Sequence, residues 1–204
     1  MADKKPYHHR NLPDALRAVT ADLVSERGPS GFSLREVARR AGVSHAAPAH
    51  HFGDTRGLLT SLATEGFERL ATALGDAAER GGDAADRLRR CGAAYVETAL
   101  DSPGHFAVIF RDDLLDTDDP ALAEHGAVAF GHLIAAVEAV RDEINPDLDI
   151  DAAATMCWAT MQGLVTLAPT IDKMVGSDES PDLEESIGSL CGLMLDGFRP
   201  RPAR

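Results

Sequence analysis

Apolar residues recur along almost the whole chain at spacings of three and four, and β-branched alternation is nearly absent. The pattern predicts an all-α protein of about nine helices. Leu16, Val19, Leu23 and Val24 form one stripe of a first helix from Pro13 to Arg27, with Pro13 suited to a first turn and Gly28 to a stop. A second helix starts at Ser33. The run Ser33-Leu34-Arg35-Glu36 has the pattern of a capping box, in which the serine hydroxyl and the glutamate carboxylate each satisfy an orphan amide. It ends at Gly42, a residue at ease in the left-handed conformation that closes helices. Ser44 is expected to cap a short third helix reaching His51. Gly53-Asp54-Thr55 is expected to cap a longer fourth one reaching Arg80.

The pair Gly81-Gly82 is the clearest break. Beyond it the periodicity predicts five more helices, at Asp83–Leu100, Pro103–Leu114, Pro120–Ile144, Asp151–Lys173 and Pro181–Phe198. Asp83, Ser102, Asp119, Asp149 and Ser180 stand at or near their starts. The tail from Arg199 to Arg204 is expected to fray. The longest weakly polar stretch, Ala152–Ile171, is interrupted by Gln162 and Pro169 and reads as a buried helix, not a membrane span.

Charge changes this picture. The net charge is −13, which taken as an average speaks against binding phosphates. Residues 1–60, however, hold nine Lys or Arg against six Asp or Glu, a net of +3. Residues 61–204 hold the other 11 and 27, a net of −16. A mildly cationic head on an acidic body predicts two domains, 8–60 and 61–204. The three cysteines, Cys91, Cys157 and Cys191, are scattered and odd in number, so neither a disulfide framework nor a zinc site is expected, and a reducing cytoplasm fits. No apolar leader precedes the first helix.

The informative stretch is Gly31 to Leu59. Two short helices are joined by Ala41-Gly42-Val43-Ser44, with Val43 plugging the angle and Val37, Ala38 and Ala41 forming a small inner face. This is the chemistry of a helix-turn-helix, about residues 33–52, which presents its second helix to a DNA major groove. The same residues resemble the TetR family of bacterial transcriptional repressors. Tyr7-His8-His9-Arg10-Asn11-Leu12, Gly31-Phe32-Ser33-Leu34, Val37-Ala38, Ala41-Gly42-Val43-Ser44, His51-Phe52 and Leu58-Leu59 match the pattern of that family's N-terminal domain. Ala94-Tyr95-Val96, Pro103-Gly104-His105-Phe106, Ile109-Phe110 and the run from Trp158 to Leu164 resemble the C-terminal domain of one subgroup, with Gln162 where histidine is usual.

The resemblance implies a recognition helix over about Ser44–His51. His45, Ala46 and Ala47 would face base edges, the histidine by hydrogen bonds and the alanines by contact with thymine methyls. Ser33 and Ser44, at helix N-termini, would suit phosphates, with His50 or His51 also reaching the backbone. The family's usual tyrosine and lysine are replaced by Ala49 and Thr55. Compensation is expected from Lys4, Lys5 and Arg10 in the arm and from Arg35, Arg39 and Arg40 on the second helix. Pro48 lacks an amide hydrogen, so the third helix is expected to begin late or strained.

In the body, Tyr95, Phe106, Phe110, Phe130, Trp158, Met161 and Gln162 are either plain core or the wall of an effector pocket. Gln162, a polar amide amid apolar neighbours, needs a partner. The pairs His8-His9 and His50-His51 diverge on a helix and are not expected to hold metal. His105, His125 and His132 read as solvated or core, or as pocket contacts. The stripe Ile187, Leu190, Cys191, Met194 and Phe198, with Val165 on the preceding helix, either covers the core or, as the resemblance implies, forms a homodimer seam.

The resulting expectation is a cytoplasmic, dimeric regulator with two partners: a pseudo-palindromic double-stranded DNA operator and a small-molecule effector. No cofactor, metal or membrane is expected. No nucleophile–base pair or phosphate loop points to an enzyme. The alternatives are a helical enzyme or carrier that uses the head as scaffold, and an adaptor whose helix-turn-helix binds protein.

Overall fold

The computed structural model describes residues 12–175 and 183–200, and their side chains apart from those of 168–175 and 183. The arm residues Lys4, Lys5, Tyr7, His8, His9 and Arg10, the expected start at Ser180-Pro181 and the last four residues lie outside the described residues. The described residues form nine helices: α1 (Leu12–Arg27), α2 (Leu34–Ala41), α3 (Ala47–Phe52), α4 (Thr55–Glu79), α5 (Ala84–Asp101), α6 (Pro103–Phe106), α7 (Pro120–Glu143), α8 (Ile150–Val175) and α9 (Leu183–Phe198). The protein is all-α, as its periodicity predicts.

The chain divides into two compact units. The first takes in Met1–Gly66 together with Ser102–Ala123, and the second Phe67–Asp101 with Glu124–Arg204. The boundary near residue 60 suggested by the charge split thus falls within α4. The first unit also recruits α6, because α1 packs on α6 as closely as on α2. Gly104 permits this: a Cβ there would overlap the carbonyl oxygen of Ala21.

The core of the first unit is built on Leu16, Leu23, Val37 and Leu58, all fully buried, with Phe32, Val43 and Phe52 packed against them. In the second unit α5 packs on α8 and α9, and α8 on α9. Helix α7 buries Ala129, Leu133, Ala136, Val137 and Val140, a stripe with helical spacing. By length and by a mean hydropathy of 1.2, α7 is the one described helix that could also cross a membrane, with 22% of that window buried.

Expected capping is realised at several starts. Asp54 accepts from the Gly57 amide at 2.9 Å, Asp83 from Asp86 at 2.8 Å, Asp119 from Leu122 at 2.9 Å and Asp149 from Ala152 at 3.1 Å. At Ser102 only the backbone carbonyl caps, accepting from His105 and Phe106.

The long helix expected over Pro103–Leu114 is corrected to a single turn, α6, followed by tight turns. After His105 the amide bonds shorten to three-residue steps, such as Val108 to His105 and Arg111 to Val108. Val108, Ile109 and Leu115 are buried by this path. Arg56 of α4 holds it in place by donating to the carbonyls of Leu115 and Asp113. The apolar spacing looked helical because turns of this kind bury residues at nearly the same intervals.

Candidate nucleic-acid interface and effector cavity

The helix-turn-helix is set by one glycine. Gly42 adopts φ 69° and ψ 30°, the left-handed region. Its amide bonds to the Arg39 carbonyl at 3.3 Å and that of Val43 to Ala38 at 3.0 Å, so α2 closes in a Schellman motif. Val43 then packs against the buried cluster, which fixes the angle at which the chain leaves. At the other end of α2, the Ser33 hydroxyl accepts from the Glu36 amide at 3.3 Å. The expected reciprocal half of the capping box is corrected: the Glu36 carboxylate instead accepts from Arg27 of α1 at 3.0 Å. A charge-assisted bond to a neighbouring helix outcompetes a local amide.

Helix α3 starts late, as Pro48 leads one to expect. It begins at Ala47, with Ala46 as a cap that offers no side-chain bond, and Pro48 is buried at the second helical position. There its missing amide hydrogen costs nothing, since that amide would have no helical partner. The assignment of Ser44 as N-cap and of Ser44–His51 as the helix is therefore corrected. Ser44, His45 and Ala46 lie in the preceding turn, where the Ser44 carbonyl accepts from the Ala47 amide at 3.0 Å and the Ala46 carbonyl from that of His50 at 2.9 Å.

The structure brings His45, Ala46, Ala49, His50 and His51 together as exposed residues, with Ala47 half-buried and Phe52 packed inward. The His50 and His51 rings meet edge to face at 5.4 Å. Thr55 is half-buried at the first position of α4. One amide of that helix start, that of Gly57, is already taken by Asp54.

The cations separate into two groups. Arg40 is clamped on Glu26 of α1, and its guanidinium holds that carboxyl below the usual carboxylate range. Arg17 bonds Glu65 at 2.7 Å, Ser61 at 3.3 Å and also Asp14. Arg35 and Arg39 are exposed, Arg39 by 69% of its side chain and 3.8 Å from Glu36. Of the three second-helix candidates for phosphate contact, Arg40 is thus engaged within the head. Ser33 is exposed and its hydroxyl is engaged by its own helix.

In the second unit, Tyr95 of α5 donates to the Gln162 amide oxygen of α8 at 2.6 Å, and the Gln162 amide nitrogen donates to Thr166 at 3.1 Å. Burial pushes the Tyr95 phenol up, against the opposing effect of a hydrogen bond with Trp158. The ring of Trp158 lies edge to face with Tyr95 at 5.5 Å and tilted on Phe130 at 5.4 Å. Tyr95 and Trp158 border a cavity of about 20 Å³ that Met161, Met194 and all three cysteines also line, whereas Gln162 and Phe130 touch these two residues and do not line it. Phe106 and Phe110 do not line it; they belong to the first unit, Phe106 buried and Phe110 41% exposed.

By sequence, Cys91 and Cys157 fall at no site and Cys191 on the last-helix stripe, none of them at a cavity. The signal was there: Cys91 stands four residues from Tyr95, Cys157 four from Met161 and Cys191 four from Ile187, which puts each on the inward stripe of its helix. No group of three or more histidines, cysteines or carboxylates among the described residues is placed to hold a metal ion. His125 and His132 share instead an open cleft of about 400 Å³ with Glu68, Asp76, Glu79 and Glu124.

The seam expected of the last helix is corrected. Ile187, Cys191, Met194 and Phe198 are buried within this unit, because α9 turns that stripe onto α5. Leu190 and Val165 are half-buried. The outward residues of α9 are Glu184, Glu185, Gly188, Ser189, Leu193 (71% exposed), Asp196 and Gly197, and α8 exposes among others Met156, Ala159 and Leu167.

A Schellman-closed helix, a late-starting second helix and an exposed edge of imidazoles and methyls define a helix-turn-helix DNA-binding protein. Comparison with known proteins agrees. Residues 16–62 match the model of bacterial regulatory proteins of the tetR family, and residues 88–186 that of the tetracyclin repressor-like C-terminal domain. The chain belongs to the TetR family of bacterial transcriptional regulators.

An HTH-type transcriptional repressor of Mycobacterium tuberculosis is 26% identical over 176 residues, covering 86% of this chain and 84% of the relative. A solved structure of a Rhodococcus protein of unknown function is 30% identical, with a TM-score of 0.80, covering 97% of this chain and 100% of that one. The fold is shared with the transcriptional regulator FadR of Bacillus subtilis, solved in complex with stearoyl-CoA. That protein is 16% identical with a TM-score of 0.71, and the match covers 91% of this chain and 99% of that one.

Proposed function

We propose that the protein is a cytoplasmic, homodimeric, effector-responsive repressor. The observation that carries the reading is the Gly42 closure, which presents Ala46, Ala49 and His50 on one rigid, exposed edge. Two copies place two such edges in successive major grooves of a pseudo-palindromic operator, about 34–36 Å apart. His45 and His50 read base edges, the alanines take thymine methyls, and Arg35 and Arg39 bind phosphates. The domains act as residues 8–60 and 61–204.

The exposed face of α8 and α9, with Leu193, Leu167 and Met156 among small residues, supports pairing of the two copies. The second unit holds the effector site between α5, α8 and α9. An effector lowers operator affinity by binding more tightly to a state with the wrong head spacing. Repression is supported by the mycobacterial relative and effector binding by the stearoyl-CoA complex of the Bacillus regulator.

The test is binding to DNA from upstream of the protein's own gene across a salt series. Saturable binding with a steep salt slope is expected, lost in Gly42→Pro while the helical signal persists. No binding at low salt, or unchanged affinity in Gly42→Pro, overturns the reading.

A further inference from the structure

The wall of the second-unit cavity carries information about what it binds, on the reading that this unit holds an effector. Sulfur dominates it: Cys91, Cys157, Cys191, Met161 and Met194 all line the space. Two of them, Cys191 and Met161, approach α5 closely because Gly92 has no side chain. A Cβ there would lie 3.1 Å from the Cys191 sulfur and 3.2 Å from that of Met161. Thiol and thioether sulfurs are polarisable and contact aromatic rings favourably.

The wall is also neutral. No charged side chain lines the space among the described residues, and Arg90 is turned to the carbonyls of Ala77 and Gly81. Burial keeps Cys91 protonated even against the pull of Arg90 and Arg87, and pushes the Cys157 thiol up to about 12. Such thiols are poor nucleophiles. An ionised ligand would lose its hydration here with nothing to replace it.

One polar chain starts at the two lining residues Trp158 and Tyr95 and runs on to Gln162 and Thr166 outside the lining. Trp158 is bonded to Tyr95, Tyr95 to Gln162 and Gln162 to Thr166. The aromatic series from buried Tyr95 through Trp158 to Phe130, 38% exposed, leads outward beside it. A void of about 20 Å³ holds one water at most, whereas one aromatic ring needs ~150 Å³. The difference has to come from side chains that rearrange cheaply, and Met161 and Met194 are unbranched.

We infer that the effector is a neutral aromatic compound with a single hydroxyl or carbonyl group. Its ring displaces Met161 and Met194 against the sulfur wall, and its polar group takes over the bond between Tyr95 and Gln162. Carboxylates and acyl-CoA esters are excluded from this space.

Calorimetry on the full-length protein tests this with a matched series: para-ethylphenol, ethylbenzene, para-ethylbenzoate and stearoyl-CoA. Para-ethylphenol is expected to bind saturably, at least tenfold more tightly than para-ethylbenzoate, and to weaken DNA binding. Gln162→Leu is expected to reduce para-ethylphenol affinity about tenfold, an effect of one charge-free hydrogen bond, and to leave ethylbenzene unchanged. Gln162 is half-exposed, and the wild-type series decides the question even where the variant misfolds.

Tighter binding of the benzoate or of stearoyl-CoA at this cavity overturns the inference and leaves effector-responsive repression standing. Silence of all four compounds with DNA binding intact also overturns it. Loss of DNA binding by the compound-free protein instead sinks the functional reading beneath it.

Discussion

Arg40 reaches from α2 to Glu26 on α1 through both terminal guanidinium nitrogens, at 2.9 and 2.7 Å. The clamp ties the helix-turn-helix to the first helix and engages Arg40 within the head, unlike the exposed Arg35 and Arg39. Arg35→Ala and Arg39→Ala are each expected to weaken operator binding and to reduce the salt slope by about one. Arg40→Ala is expected to act mainly through thermal stability, read by a melting curve. Because Arg40 lowers the Glu26 carboxyl pKa in the folded state, the clamp's contribution is present above the ordinary carboxylate pKa of about 4.3 and is lost as pH falls through the lowered value. Glu26→Gln should therefore flatten the acid limb of the stability profile. An unchanged limb would count against the clamp.

Gly42 is the second test. At φ 69° an added Cβ meets no neighbour, so the cost of Gly42→Ala is conformational alone, about 1–2 kcal/mol. Denaturant unfolding should show that loss, with DNA binding retained once the protein is folded.

Gly104 differs, since space and not torsion is limiting. A Cβ would overlap the Ala21 carbonyl and force α6 off α1. Gly104→Ala is expected to cost about 1–3 kcal/mol, and Gly104→Val more. A melting temperature equal to the parent's would contradict the close approach.

Cys157 predicts a basic limb. Its thiol pKa is raised to about 12 in the folded protein from about 8.5 in an unfolded chain. Its contribution is therefore complete below about 8.5 and lost as pH rises through about 12. Cys157→Ala should flatten that part of the stability profile. Mass spectrometry after iodoacetamide at neutral pH should find all three cysteines slow to react when native and fast when denatured.

Leu193 tests the partner face. It is 71% exposed beside Gly192, whereas its neighbour Met194 is buried. Leu193→Arg is expected to shift the protein towards monomer in sedimentation and to weaken operator binding, with helix content unchanged. Met194→Ala should instead destabilise the protomer by about 2–5 kcal/mol. A dimer unaffected by Leu193→Arg would place the seam elsewhere.

The α2–turn–α3 unit was legible because its determinants are local. Ser33, Gly42, Val43 and Pro48 act on atoms within about four residues, so their types announce the geometry. Two neighbours of that motif were not legible. Glu36 was free to complete a capping box until Arg27 lay beside it, and the Schellman exit carried the chain past Ser44 before α3 could start. The long helix expected after Pro103 failed for the same reason. Burial of Val108 and Ile109 can be met by turns as well as by a helix, and the choice lay with Arg56, almost 60 positions away in sequence.

By itself the sequence determined the helical class and the helix-turn-helix with its glycine closure, since periodicity and turn chemistry are properties of adjacent residues, and its motifs carried the resemblance to the family. Only the tertiary structure decided which way the apolar stripe of α9 faces. A stripe of Ile187, Cys191, Met194 and Phe198 is equally fit for a partner or for its own core, and the packing of α9 on α5 turned it inward. The same packing gathered three distant cysteines around Gly92 and left Leu193 outside, a consequence of long-range burial that no local pattern encodes.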